Sequence, residues 1–134
     1  MTLIKNVNHI RQAIDFTGLQ NDKIHPSDID AVLEFNNEAV IFFELKDYKS
    51  AGIPTGQRLL LERLVNGWHN QKAVALEIRH NQLGEKPIDL SKCEVVRYYI
   101  NNNVSRKWID AKLNVKEALN ALGKFWDINK LHFK

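Results

Sequence analysis

Residues 28–46 read DIDAVLEFNNEAVIFFELK, and this stretch decides how the chain is expected to fold. Residues 28–35 and 39–45 contain the β-branched and aromatic residues that favour strands. Asn36 and Asn37 lie between the two runs and favour a turn. The stretch therefore predicts two antiparallel strands joined by a hairpin.

The second strand of this hairpin combines apolar and ionisable side chains. Phe42, Phe43 and Leu45 indicate that it is buried on both faces, as in the interior of an α/β sheet. A strand of this kind seldom carries Glu44 and Lys46 unless the two side chains are paired or functional. The pattern therefore marks Glu44 and Lys46 as candidates for a functional site.

Whether carboxylates of the two strands meet depends on the length of the hairpin loop. Successive side chains point to opposite faces of a sheet, so one extra loop residue moves a whole strand to the other face. A two-residue turn would separate Asp30 from Glu44, as expected for a purely structural hairpin with solvated charges. A three-residue loop over 36–38 pairs Asp30 with Glu44 and Asp28 with Lys46. We predict an odd loop or a compensating bulge.

Hydrophobic periodicity predicts the elements around the hairpin. They are a helix over 3–17, a helix from Thr55 to about His69, strands over 72–79 and 94–100, and a helix over 114–126 that starts with Asn114 and Glu117 as a capping box and turns Leu122, Phe125 and Trp126 inward. The predicted order is αββαββα. It describes a single α/β domain over residues 1–134, with a central mixed sheet and flanking helices.

Composition restricts the class of protein. The chain has 134 residues with 44% hydrophobic content, the usual size of one compact domain. Cys93 is the only cysteine, and no Cys/His cluster has the spacing of a zinc site. No apolar run has the length of a membrane span or a secretory signal. We expect a cytoplasmic protein that does not bind membranes.

The charge is unevenly distributed along the chain. Residues 1–67 contain 7 Lys and Arg against 9 Asp and Glu, whereas residues 68–134 contain 12 against 7. The acidic half includes the candidate carboxylates, and the basic half offers positive charge to a polyanion. This asymmetry is a weak indication of nucleic-acid binding, because many solvated surfaces share it.

The residue types of the hairpin suit one kind of chemistry. Mg²⁺ is a hard cation that takes carboxylate, carbonyl, water and phosphate oxygens. Asp30 and Glu44 can supply carboxylates and Leu45 a main-chain carbonyl. The Lys46 ammonium can position or deprotonate a metal-activated water and offset charge on a phosphoryl group.

The combination of Asp30 with Glu44-Leu45-Lys46 resembles the PD-(D/E)XK nuclease superfamily, in which an Asp on one strand and Glu-x-Lys on the next build the active site. The likeness covers roughly residues 1–80 by element order, and in size the chain resembles compact stand-alone phage or mobile-element members. It implies a restriction-endonuclease-like fold and Mg²⁺-dependent hydrolysis of DNA or RNA phosphodiesters, with Mn²⁺ as a substitute. It also implies that a homodimer is one form in which the chain acts.

Asp28 competes with Asp30 for the metal, since both side chains have the same parity. Asp30 is favoured because it lies opposite Glu44 in the three-residue register. The superfamily pattern places its Asp near a Pro, and Pro26 argues for Asp28. The sequence leaves the choice between Asp28 and Asp30 open.

Further residues are candidates for accessory roles. Gln57, in the first turn of the helix after the hairpin, is expected to point toward the site, as in several branches of the superfamily. Arg58 at the same helix end could contact a phosphate. Tyr48 and Lys49 follow the active strand where substrate would approach. Arg58, Lys49 and Tyr48 are the candidates for substrate binding, and Gln57 is a possible accessory residue of the site.

Two function classes remain open from the sequence. The first is a metal-dependent nuclease with DNA as the favoured substrate; specificity, and endo- versus exonuclease action, are undetermined. The second is a non-catalytic module that keeps the nuclease fold and binds nucleic acid or a protein. The intact set of Asp30, Glu44 and Lys46 favours the first.

Overall fold

A computed structural model describes residues 14–82, 84, 86–102 and 106–134. Within these residues the chain forms a mixed α/β domain of five strands and two α-helices. The elements are β1 (Ala31–Phe35), β2 (Ala39–Asp47), α1 (Thr55–Asn66), β3 (Ala73–His80), β4 (Glu94–Ile100), β5 (Trp108–Asn114) and α2 (Val115–Phe125), with short 3-10 helices at Thr17–Leu19 and Leu90–Lys92.

The five strands form one sheet in the order β1-β2-β3-β4-β5. The pair β2 and β3 is parallel, and the other three pairs are antiparallel. Two parallel neighbours need a crossover connection, and α1 provides it. The sheet is therefore mixed, as predicted. Because β2 and β3 are parallel neighbours, their carboxyl ends lie side by side at the same end of the sheet.

The hairpin has the predicted three-residue loop. Phe35 is opposite Ala39, and the register continues in step to the pair Ala31 and Phe43. Asn36 and Asn37 take positive φ values of 48° and 63°, a conformation that Asn tolerates better than most residues. The predicted register is confirmed over these pairs, and it is not the opposite parity that was expected for a hairpin with solvated charges.

Strand β2 is buried on both faces, as its sequence predicts. Phe42 belongs to the cluster that α1 covers, which includes Leu61. Phe43 belongs to the cluster on the other face, which includes Leu119 of α2. Helices α1 and α2 thus cover the two faces of the sheet. The ionisable residues Glu44 and Lys46 lie toward the carboxyl end of β2.

The predicted element order αββαββα is wrong in the described residues, because a fifth strand lies at 108–114. No residue of its sequence WIDAKLN is fully buried, and the strand lies at the edge of the sheet. Lys112 and Asp110 make the segment polar enough to resemble a loop. Its pairing with β4 supplies what its own sequence lacks.

The two helices depart from prediction at their ends. Helix α1 stops at Asn66, short of His69. Helix α2 has the predicted capping box, with the Asn114 side chain accepting from the Glu117 N–H and the Glu117 side chain accepting from the Asn114 N–H. Phe125 does not face inward as predicted, because it is 71% exposed.

The predicted N-terminal helix over 3–17 falls largely outside the described residues. Its last four residues are described and are not α-helical, and Thr17 begins a 3-10 turn. Nowhere in the described part of the chain does a helix combine the length and the apolar character needed to cross a membrane.

Candidate active site

Glu44 is the centre of the candidate site. Its strand β2 places it on the same face as Phe42, and its side chain is only 1% exposed. The Gln57 amide nitrogen Nε2 donates to Glu44 Oε2 at 2.8 Å, and Lys46 Nζ lies 3.4 Å from Oε1. A buried carboxylate needs such partners, and the chain supplies them from the same strand and from the first turn of α1.

Asp30 lies one residue before β1 begins. Its Oδ2 accepts a hydrogen bond of 2.6 Å from the Leu45 N–H, so the side chain spans the gap where β1 stops pairing with β2. The last register pair is Ala31 with Phe43, so Asp30 and Glu44 are the next residue on each chain segment, and the Asp30 carboxylate acts on Glu44 through charge and a side-chain hydrogen bond. The carboxylates of Asp30 and Glu44 are therefore neighbours at the end of the hairpin.

Asp28 has a different position from Asp30. Its main-chain carbonyl accepts from Gln57 Nε2 at 3.2 Å, which ties the segment before β1 to helix α1. In the described residues the Asp28 carboxylate makes no hydrogen bond or ion pair with Glu44 or Lys46. Of the two aspartates, Asp30 is the one that the geometry brings to Glu44.

The charge on Glu44 is unfavourable in this environment. Burial, and then the negative charge of Asp30, raise the pKa of Glu44 from 4.5 to about 7, while Lys46 acts in the opposite direction. Two crowded carboxylates with one ammonium beside them form a site that a cation would stabilise.

The main chain of Leu45 contributes a further oxygen. The N–H of Val40 donates to Lys72, which precedes β3, whereas the Leu45 N–H donates to Asp30 on the opposite side of β2. The N–H and the carbonyl of a strand residue point the same way, so the Leu45 carbonyl also faces the side of Asp30, beyond the end of β1.

These donors fit a hard cation in type. Asp30, Glu44 and the Leu45 carbonyl are all oxygen ligands on one side of β2. Among the described residues there is no group of three or more His, Cys, Asp or Glu side chains that could hold a metal ion. The predicted set has two such side chains and one main-chain oxygen, with water and phosphate expected to complete it.

A second charged network, missed in the sequence, adjoins the first. Glu77 of β3 is in register with Glu44 and is 2% exposed. Arg79 Nη2 donates to Glu77 Oε2 at 2.7 Å, and Arg97 Nε of β4 donates to Oε1 at 2.9 Å. The signal in the sequence was Glu77-Ile78-Arg79, which repeats the Glu-x-cation spacing of β2 inside another buried strand.

The three residues predicted to bind substrate are not brought to the carboxylates. Arg58 pairs with Glu62 at 2.6 Å, and the Tyr48 hydroxyl donates to Glu94 at 2.9 Å. Lys49 is exposed on the turn after β2. In the described part of the chain none of the three contacts Asp30 or Glu44, so their predicted role lacks a direct link to the site.

A groove of about 580 Å³ opens beside Asp28 and Gln57. Its walls come from the segment before β1 and from the first three turns of α1, and they carry the basic side chains Lys23 and Arg63 together with His25. The groove therefore offers a surface beside Asp28 and Gln57 that can accept an anion.

Comparison with known proteins gives no assignment. No protein-family model matches the sequence, and neither the curated proteins nor the solved structures contain a significant match.

Proposed function

We propose that this chain is a metal-dependent nuclease that hydrolyses phosphodiester bonds of nucleic acid, with DNA as the favoured substrate. The observation that carries the proposal is the meeting of Asp30, Glu44 and Lys46 at the end of one hairpin. The superfamily resemblance required a register that brings these side chains together, and the hairpin has that register.

The ligands that would hold Mg²⁺, or Mn²⁺ in its place, are the carboxylates of Asp30 and Glu44 and the carbonyl of Leu45. Bound there, the metal supplies Lewis-acid polarisation and neutralises phosphoryl charge. The raised pKa of Glu44 supports this assignment, because a divalent cation relieves the repulsion between the two carboxylates.

Lys46 is the candidate catalytic cation. Its ammonium is 3.4 Å from Glu44 and its side chain is 26% exposed, so it can contact both the carboxylate and a substrate at the open edge. There its ammonium would orient the attacking water and offset the charge that develops on phosphorus.

Gln57 is a positioning residue. One Nε2 donates both to Glu44 Oε2 and to the Asp28 carbonyl, which links β2, the segment before β1 and helix α1. The amide thereby sets the direction in which the remaining Glu44 oxygen points. Fixing a carboxylate before substrate arrives reduces the cost of assembling the site.

The test is cleavage of a panel of labelled duplex, single-stranded and branched DNA and of RNA, in Mg²⁺, in Mn²⁺ and in EDTA. Wild type is compared with Asp30→Asn, Glu44→Gln and Lys46→Ala. Glu38→Gln is the matched control, because Glu38 is an exposed carboxylate in the loop at the opposite end of the hairpin. We expect metal-dependent cutting by wild type and the control, with a loss of 100-fold or more in the three site variants, the scale of a lost acid–base or charge-stabilising group, roughly 10²–10⁴.

Two outcomes would count against the proposal. Unchanged cleavage in any site variant removes that residue from the mechanism. No cleavage of any substrate by folded wild type, with binding that survives EDTA and weakens with salt, supports the non-catalytic binding module instead.

A further inference from the structure

Arg97 lies on the same face of the sheet as Glu44, two strands away. Glu44 is in register with Glu77, and Glu77 with Arg97, so the three side chains form one row across β2, β3 and β4. Neighbouring strands are about 4.8 Å apart, which puts the Arg97 main chain roughly 10 Å from that of Glu44. Arg97 therefore lies on the same face as the pair of Asp30 and Glu44, but two strands away from it.

The Arg97 guanidinium is held on two sides. Its Nε and Nη2 both donate to Glu77 Oε1, at 2.9 and 2.5 Å. Its Cζ lies 5.5 Å from the centre of the Trp108 ring, close enough for a cation–π contact. Trp108 is itself fixed, because its indole N–H donates to Glu62 at 2.8 Å. A guanidinium that is ordered in advance loses less entropy when it binds an anion.

Positive charge is in excess in this network. The single carboxylate of Glu77 serves both Arg79 and Arg97. Arg79 is 12% exposed and also donates to the Asp47 and Ser50 carbonyls, so it is engaged in holding the turn after β2. Arg97 is 37% exposed, and Glu77 uses two of its five N–H donors. The accessible part of the excess charge is thus on Arg97.

The surroundings of Arg97 leave this charge available. Asp110 is its register neighbour on β5, but Asp110 is exposed and, within the described residues, forms no ion pair with Arg97. Lys46, on the same face at the end of β2, adds a second cation at the open edge. A polyanion that extends from the carboxylate pair across β3 would meet Lys46 first and then Arg97.

We propose that Arg97 binds a phosphate next to the cleaved bond of the nucleic-acid strand, and that Glu77 and Trp108 are positioning residues for it. The inference rests on the proposed nuclease function and adds the direction in which the substrate crosses the sheet, from β2 over β3 toward β4. The ligand chemistry is a phosphodiester of DNA or RNA, recognised through charge and the planar guanidinium fork.

The test is the salt dependence of DNA binding, measured in EDTA so that no strand is cut. A fluorescently labelled single strand and the corresponding duplex are titrated at several KCl concentrations with wild type, Arg97→Gln and Arg97→Lys. Lys124→Gln is the control, because Lys124 is an exposed cation on α2, which covers the other face of the sheet. Circular dichroism and thermal melting establish that each variant is folded.

We expect Arg97→Gln to weaken binding about tenfold at low salt, and to reduce the slope of log K against log salt by roughly 0.7–0.9, the loss of one phosphate contact. Arg97→Lys should keep the slope and lose part of the affinity, because the charge remains and the fork is lost. Lys124→Gln should match wild type. An unchanged slope in Arg97→Gln, an equal reduction in Lys124→Gln, or no DNA binding by wild type would overturn the proposal.

The binding titration and the cleavage assay give different results if Arg97 binds no phosphate and if the chain is no nuclease. The titration requires no catalysis, so a wild type that binds but does not cut refutes the nuclease and still decides the role of Arg97. If Arg97→Gln cleaves with the wild-type rate and KM, the proposed phosphate contact of Arg97 is refuted, while the proposed nuclease function is unaffected. If Arg97→Gln melts too low to assay, Arg97→Lys decides, with wild-type affinity overturning the proposal and a loss of about fivefold or more supporting it.

Discussion

Glu44 is a buried carboxyl group at the centre of the candidate site. Its carboxylate is buried beside Asp30, and these two conditions raise its pKa to about 7. A carboxyl group of this kind binds a proton more tightly in the folded chain than in the unfolded chain. Sites that hold cations commonly keep such unfavourable groups, because the bound cation relieves them.

The buried carboxyl group of Glu44 should make the stability of the folded chain depend on pH. A raised folded-state pKa means that the contribution of Glu44 to stability is fully present below about pH 4.5 and is lost as pH rises through about 7. Glu44→Gln removes the titrating group, so in EDTA its advantage over wild type should grow between pH 5 and pH 8. The growth should be on the order of 3 kcal/mol at most.

Thermal denaturation of the two proteins at pH 5, 6, 7 and 8 measures this effect. Glu38→Gln, which changes an exposed carboxyl group at the other end of the hairpin, should follow the wild-type curve. A difference between Glu44→Gln and wild type that stays constant with pH would contradict the assigned environment of Glu44.

At the scale of elements, the hairpin and α2 are both defined by local chemistry and then locked by contacts. Asn36 and Asn37 supply the loop conformation that sets the register of β1 against β2. Helix α2 starts at its capping box and ends against the segment that follows it, where the Ile128 N–H donates to the Gly123 carbonyl at 2.8 Å. Both ends of α2 are thus specified.

The prediction at this scale is that Gly123→Ala destabilises the domain by about 1–3 kcal/mol, the range for overpacking of a buried site. Gly123 is buried, and an added methyl group would collide with the Leu131 carbonyl, which is a main-chain atom that cannot rotate away. Gly56→Ala is the control. Nothing lies within 4 Å of the position of its added methyl group, so it should be neutral or slightly stabilising in a denaturant titration. Equal stability of the two variants would contradict the close approach.

At the scale of the whole molecule, the sheet collects charges that are far apart in the chain. Glu44, Glu77 and Arg97 come from three strands and lie in one row beneath the open edge. The acidic residues of this row are concentrated at β2 and β3, and the accessible guanidinium follows at β4. The proposed cation site at β2 and the proposed phosphate contact at Arg97 both depend on this row.

The prediction at this scale is that Mg²⁺ stabilises the folded protein without any nucleic acid. A ligand that binds only the folded state adds about 2.7 kcal/mol at 100 times its Kd. The Tm of wild type should therefore rise with MgCl₂ concentration, and Asp30→Asn and Glu44→Gln should lose the rise. Lys46→Ala should keep it, because Lys46 is assigned to the reaction and not to the metal. The same rise in Glu44→Gln as in wild type would show that the ion binds elsewhere.

The sequence alone determined the parts of the fold that depend on near neighbours. The burial of β2 on both faces and the capping box of α2 follow from residue types within a few positions of one another, and the hairpin register follows from the requirement that Asp30 and Glu44 share a face. All three were predictable from the sequence. So was the closeness of Asp30, Glu44 and Lys46, since parity along two strands and the length of one loop decide it.

Only the tertiary structure decided what depends on distant partners. The edge strand β5 is stabilised by pairing with β4, and at the end of α2 Phe125 is 71% exposed whereas Trp126 is buried. The choice of Asp30 over Asp28, and the row that joins Glu77 to Arg97, depend on strand order and register across the sheet. No local preference encodes these, because they follow from the free energy of the assembled sheet.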